Sequence, residues 1–298
     1  MTKKEEVLLS YIAEHPDISV NQLCSNFALS SKQLLDSLLR LRKGGYYIRQ
    51  NYHNNGNITL RLSLHPDRKT IYTEKEEKLL RFAAISDTHF GHYKFSMRYV
   101  EQVYQYCLEQ RIHLIFHLGD VVEGVENTVN TRYKSVDRQF ESFLKKYPYD
   151  PYILNFILLG NHDNWSSKTT KFNSLLFLTD KRLDFIPVGM NIGTVAVNKE
   201  LIAFCHNTGV NGNSGVKLVL KGHSHQYRLV NNENSCMIQV PTLSRINTMS
   251  QTQDYIPSFL DVQINLYANR FSAISVKQLQ LRKRITQVSN CKVNFLKK

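Results

Sequence analysis

The sequence predicts an α/β protein: a two-sheet β-sandwich flanked by helices, preceded by a small helical domain that ends in a hairpin. Three observations predict it. From Leu79 to Leu159, apolar runs of strand length alternate with amphipathic helical patterns. After Asp184 the chain is nearly all strand, and two sheets packed face to face with helices outside would bury both halves. The first 64 residues read differently, as three short helices followed by two β-rich runs.

Taken in order, Val7, Leu8, Tyr11 and Ile12 recur at helical spacing until His15-Pro16. Ser19 with Gln22 three residues later has the form of a capping box for a second helix over 20–27. Ser30 and Gln33 repeat it before Leu34, Leu35, Leu38, Leu39 and Leu41, a third amphipathic helix that Gly44-Gly45 ends. Residues 46–52 and 58–64 are β-rich and flank the turn-rich 53–57. Three helices and a hairpin in this order resemble a winged helix-turn-helix over residues 1–64. The resemblance implies that the third helix enters a major groove with Lys32, Gln33, Asp36, Ser37 and Arg40, and that Arg49 and Arg61 on the wing lie near phosphates. Such modules also serve as protein-interaction domains.

Residues 65–78 are polar, charged and contain Pro66, which predicts a linker. The main domain spans 79–282. Strands are expected at 80–86, 113–118 and 152–159, with helices at 97–110 and about 134–147 between them. Further strands are expected at 185–188, 193–197, 201–205, 217–220, 237–240, 259–265 and 271–276. Residues 283–298 are expected to be a basic C-terminal tail.

The chain of 298 residues is 42% apolar and 11% aromatic, enough for a sizeable core and against wholesale disorder. No apolar stretch approaches the ~20 residues of a membrane span. The acidic start of the chain (Glu5, Glu6) argues against a signal peptide. Cys24, Cys107, Cys205, Cys236 and Cys291 are scattered and odd in number, which reads as reduced thiols of a cytoplasmic protein. The formal charge of +13 is concentrated in part at the C-terminal end, where seven Lys/Arg and no acid lie between Lys277 and Lys298. A polyanion such as nucleic acid is its natural partner, and no membrane is implied. A solvated basic surface is the plainer reading of the same charge.

Chemistry is carried by residues placed where strands run out. Asp87-Thr88-His89 follows the first strand of the main domain, Gly119-Asp120 the second and Gly160-Asn161-His162-Asp163 the third. His206 and Gly222-His223-Ser224-His225 follow later strands. Glycine before a ligand lets the backbone turn sharply and approach a metal. Carboxylate, carboxamide and imidazole donors without thiolates suit Mn, Fe or Zn rather than a structural zinc knot. A carboxylate shared between two ions would hold them around a bridging hydroxide, available at neutral pH. Taken singly, each histidine is more often core or surface; jointly, five motifs make coincidence a poor account. His92 and Arg245 are weaker candidates for substrate contact, and Trp165 is a candidate for base stacking or for a core or lid position. His113 and His117 read as strand residues.

These five motifs, in this order, resemble the calcineurin-like metallophosphoesterase superfamily over roughly residues 79–276. The resemblance implies that Asp87, His89 and His225 hold one metal and that Asn161, His206 and His223 hold a second. It implies that Asp120 bridges them and that His162, not a ligand, contacts the phosphate and protonates the leaving oxygen. Asp163 completes the motif and is expected to be structural. Two features depart from the family: Asn207 stands where Gly is common, and the connection from His206 to Gly222 is short. The expected cofactors are two divalent ions, Mn first, with Fe or Zn as alternatives. Asp87-Thr88-His89-Phe90-Gly91 is similar to the motif of nuclease subunits of double-strand-break repair complexes. The expected function is therefore a metal-dependent phosphodiesterase of the nuclease type acting on DNA or RNA. The alternatives are a phosphomonoesterase on phosphoprotein or a small molecule, and a DNA-binding regulator whose phosphoesterase fold is not catalytic.

Overall fold

The computed structural model describes residues 2–63, 69–73, 78–124, 131–133, 135–164, 174–179, 181–209, 215–232, 235–250 and 252–295. At the front lie α1 (Lys3–Glu14), β1 (Ile18–Ser19), α2 (Val20–Asn26), α3 (Ser31–Lys43) and the hairpin β2 (Tyr47–His53) and β3 (Ile58–Ser63). Each helix opens on a complete capping box: Thr2 with Glu5, Ser19 with Gln22, and Ser30 with Gln33. These satisfy backbone N–H groups that the first turn leaves open. Leu8, Ile12, Leu23, Leu34, Leu38 and Leu41 pack against Ile48 and Leu60 of the hairpin.

The stretch expected as a linker contains a strand, β4 (Thr70–Tyr72). It pairs in parallel with β2 on one side, Tyr52 opposite Ile71. On the other side Ile71 stands opposite Val197 of β9 (Ile192–Val197), again in parallel. Ile71 is fully buried. Three residues are too few to show a period, which is why this strand was not legible in a polar context. Residues 64–68 and 74–77 of the expected linker lie outside the described residues.

The main domain has two layers. In the first, β5 (Leu79–Ile85), β6 (Leu114–Leu118), β7 (Leu154–Leu159) and β8 (Phe185–Met190) run parallel to their neighbours. Beyond β5 the layer continues antiparallel through β14 (Ser258–Tyr267), β15 (Arg270–Leu281) and β16 (Ile285–Asn294). The second layer is β9, β10 (Glu200–Cys205), β11 (Leu218–Lys221), β13 (Cys236–Gln239) and β12 (Arg228–Asn231), in that spatial order. The layers meet at the tight β8–β9 turn around Asn191.

Because alternate residues of a strand face opposite ways, each central strand is apolar on both sides. Phe82, Phe116, Phe156 and Leu158 face inward to Ile202, Phe204, Leu218 and Leu220 of the second layer. Ala83, Ile85, Ile115, Ile157 and Leu159 face outward and pack with α4 (Met97–Gln110), α5 (Val136–Lys146) and α6 (Ser174–Thr179), through Val103, Phe140, Phe143 and Leu178 among others. The inner core also takes in the N-terminal helices, with Tyr52 edge-on to Phe156 at 5.3 Å between ring centroids.

The expected basic tail is corrected by β16, whose residues 285–294 pair along β15. Its side chains are mostly exposed, Val293 being buried, so backbone pairing rather than an apolar alternation places it. Residues 296–298 lie outside the described residues. No described helix is long and apolar enough to cross a membrane.

Candidate metal centre

The loops after β5 and β6 are laced together before any ligand is considered. Asp87 N–H donates to Gly119 O at 3.0 Å, and His89 N–H to Asp120 O at 2.9 Å. Thr88 donates its hydroxyl to Val121 O at 2.8 Å and lies 3.0 Å from His117 Nε2. Asp163 accepts from the N–H groups of Val121, Val122 and Gly160, tying the loop after β6 to the loop after β7. Burial, with the nearby Asp120 charge second, pushes its carboxyl up to about 7.

Asp87, His89, Asp120, His223 and His225 all adopt positive φ, between 47° and 71°. Non-glycine residues seldom do so, and the conformation costs on the order of 1–3 kcal/mol where the surroundings impose it. Three glycines make the close packing feasible. A Cβ at Gly119 would lie 2.3 Å from His206 Nδ1, one at Gly160 2.2 Å from Asp120 Oδ1, and one at Gly222 2.3 Å from Ser86 Oγ.

Three donor groups converge here, one of them His89, Glu123 and His162, and the other two carry the carboxylates Asp87 and Asp120. In the first of these two, ligand atoms of Asp87, His89 and His225 lie within 4.8 Å of one another; in the second, those of Asp120, His206 and His223 do. Asp87 Oδ2 accepts from His223 N–H at 3.1 Å, while Oδ1 is 3.4 Å from His225 Nε2 and 3.8 Å from His206 Nε2. Asp120 Oδ1 accepts from His162 N–H at 3.0 Å. Its Oδ2 lies 3.0 Å from His206 Nε2 and 3.8 Å from His89 Nε2, so it stands between the groups. Nδ1 of His206 donates to Leu118 O at 2.7 Å, and Nδ1 of His225 to Ile246 O at 2.9 Å. Each bond fixes the tautomer that turns Nε2 toward the carboxylates.

The residues fit divalent metal ions. Asp87 Oδ1 and Asn161 Oδ1 are buried without a hydrogen-bond partner. A buried acceptor left unpaired is costly unless a cation or a donor satisfies it. Burial works against the charged form of Asp87, but the surrounding His225, His206 and His89 hold its carboxyl far below the usual range. Burial likewise opposes charge on His206, yet Asp120 and Asp87 carry it up to about 9.

His162 stands beside this set, with Nδ1 donating to Glu123 O at 2.7 Å and Nε2 3.9 Å from Asp120 Oδ2. Glu123 escaped the sequence reading. It is buried, and its Oε2 lies 2.9 Å from His89 Nδ1. Its signal is thin: a lone carboxylate three residues after Asp120. The site cavity, about 210 Å3, is also lined by Ile246 and Thr248, which no motif marks. His92 lines it too, its Nδ1 accepting from Lys94 N–H. His117 is a buried strand residue, and burial drives its ring down to about 3. His113 bonds Tyr152 O, and Trp165 lies outside the described residues.

The seven candidate nucleic-acid contacts lie on the N-terminal unit, and among them Gln33, Arg40, Arg49 and Arg61 are engaged with other groups of the protein. Gln33 closes its capping box, Arg40 pairs with Glu5, Arg61 pairs with Asp17, and Arg49 donates to the Tyr72 hydroxyl at 2.6 Å. Lys32 lines a cleft of about 410 Å3 between this unit and Tyr149, Pro151 and Lys181 of the main domain.

Residues 80–211 match the sequence profile of the calcineurin-like phosphoesterases. No curated protein matches the chain. Among solved structures, Vps29 from Cryptosporidium parvum is similar at a TM-score of 0.44 and 12% identity, over 72% of this chain and 97% of that one. Yfce, a phosphoesterase from E. coli, is similar at 0.42 and 14%, over 71% and 98%. GAP50 of Plasmodium is similar at 0.47 and 14%, over 74% and 90%. The profile match over residues 80–211 identifies this part of the chain as a calcineurin-like metallophosphoesterase domain.

Proposed function

We propose that the protein is a metal-dependent phosphodiesterase that cleaves nucleic acid at a dinuclear site. The observation that carries this reading is Asp120, whose Oδ2 lies between His89 of one donor group and His206 of the other. Asp87, His89 and His225 would hold one ion, Asn161, His206 and His223 the other, and Asp120 both. The all-nitrogen-and-oxygen donor set favours Mn, with Fe or Zn as alternatives. Bound there, two ions would supply an ionised water at neutral pH and offset charge building on phosphorus.

The chain's own groups do the rest. Thr88, Asp163 and Glu123 hold the ligand loops in place. The bond from His162 Nδ1 to Glu123 O leaves Nε2 as the ring nitrogen directed to the site; in the imidazolium form, with both nitrogens protonated, Nε2 would give its proton to the departing oxygen and the ring would return to neutral. Support for a nucleic-acid substrate comes from the charge of +13. The order of helices and hairpin in residues 1–64 is that of a winged helix, which we take as an accessory binding unit. The five cysteines are free, in keeping with a reducing, cytoplasmic compartment.

The test is a cleavage panel with Mn²⁺: single- and double-stranded DNA and RNA, bis(p-nitrophenyl) phosphate, and p-nitrophenyl phosphate. Cleavage of a nucleic acid and of the bis-ester is expected. Turnover of the monoester alone would replace this reading with a phosphomonoesterase.

A further inference from the structure

A second cleft, of about 250 Å3, adjoins the metal-site cavity, and His92 lines both. One wall is the stretch that follows ligand His89. The other, around Arg132, is tied to it by Arg132 N–H donating to Gly91 O at 2.8 Å and by the His92–Thr131 bridge. The cleft is therefore fixed relative to the ligands by backbone bonds.

Its lining combines three cations with aromatic rings. Arg132, Lys146 and Arg245 reach it, and none of the described residues lining it is an acid. The Arg132 guanidinium stands 5.7 Å over the ring of Tyr93, which is 55% exposed. Lys146 Nζ is 5.9 Å from the Phe90 ring centroid and 3.4 Å from the Tyr133 hydroxyl. Arg245 reaches Asp254 at 3.6 Å, where Lys94 already sits at 2.8 Å. Cations over rings can also serve only to steady a loop. Here they converge on a hollow beside the reacting centre, and an exposed tyrosine among them offers a face for a planar group.

We infer that this cleft is the subsite for the nucleotide next to the scissile phosphodiester. Arg132, Lys146 and Arg245 take its phosphate, and Tyr93 stacks on its base. The inference rests on the phosphodiesterase reading and narrows it: the substrate is single-stranded where it meets this cleft, since a base stacked between its neighbours in a duplex has no free face for Tyr93. It also moves the principal nucleic-acid contact from the N-terminal unit to the phosphoesterase domain.

The experiment compares wild type with Arg132→Ala/Lys146→Ala and with Tyr93→Ala, all exposed positions. One readout is the ratio of kcat/KM for the 5′-phosphorylated dithymidylate pTpT to that for bis(p-nitrophenyl) phosphate, which carries neither a second phosphate nor a base. The other is binding of fluorescein-labelled hexathymidylate in EDTA, by anisotropy. The ratio should fall about tenfold in each variant, by the usual worth of a stacked base or charge-assisted bond. Hexathymidylate should bind about tenfold more weakly to each. The double variant's salt slope should be shallower by about 0.7, the worth of one lost phosphate contact on a single strand. An unchanged ratio, or unchanged binding, overturns the subsite. If wild type hydrolyses no diester yet the variants still lose hexathymidylate affinity, the subsite stands and the phosphodiesterase reading falls.

Discussion

Asp120 is the residue on which the two donor groups meet, through an oxygen 3.0 Å from His206 Nε2 and 3.8 Å from His89 Nε2. Asp120→Ala should therefore release both ions. Metal content of the purified variant, measured by mass spectrometry, should fall from two per chain to less than one, with turnover at background. Two ions retained would remove its bridging role. His162→Ala should keep its metal and lose about 10²–10⁴-fold in turnover on substrates with poor leaving groups. The loss should shrink on p-nitrophenyl esters, whose leaving group needs little protonation. Equal losses on both would take the proton-donor role away from His162. The candidate motif donors that the structure draws together were legible because each motif pairs a donor type with the end of an apolar run, as in Leu118-Gly119-Asp120. Glu123 was not legible, since a carboxylate in an irregular loop has no period to give its direction. Nor was the positive φ of Asp87 or His225, which arises from the packing of loops far apart in sequence.

At the level of elements, strands with a strong pattern were placed from sequence to within a few residues, β5 to β7 and β14 among them. Runs such as Leu154–Leu159, buried at every position, leave little choice. The elements that escaped are those whose placement depends on a partner. Strand β12 is half-exposed, β16 is polar, and β4 has three residues. For β4 the difference is measurable. If Ile71 belonged to a solvated linker, Ile71→Ala would change stability by no more than about 0.5 kcal/mol. Fully buried between β2 and β9, it should instead cost about 2–5 kcal/mol in urea unfolding. A shift within the smaller bound would separate the N-terminal unit from the sheet.

Across the whole molecule, sequence alone divided the chain into a separable module and a catalytic domain, while the structure joins them by one sheet path and one apolar core. The boundary was misleading because residues 65–78 look solvated in composition, and the contacts that cross it, such as Tyr52 with Phe156, are distant in sequence. The fold class was legible because long buried runs decide it. Arg40 on α3 and Arg49 and Arg61 on the hairpin looked available in sequence and are held by Glu5, Tyr72 and Asp17 in three dimensions.

One arrangement has a consequence for how the molecule holds together. Asp87, His89, Asp120 and Asn161 hang from the first layer, whereas His206, His223 and His225 hang from the second. Ions bound among them, as proposed, would act as a clasp across the sandwich, so chelation and unfolding would be thermodynamically linked. Free Mn²⁺ at a hundred times its dissociation constant should add about 2.7 kcal/mol per site through mass action alone. The melting temperature should climb with Mn²⁺ concentration, drop on adding EDTA, and lose that dependence in Asp120→Ala. A wild-type protein that binds two ions and melts at the same temperature without them would show that the layers need no clasp.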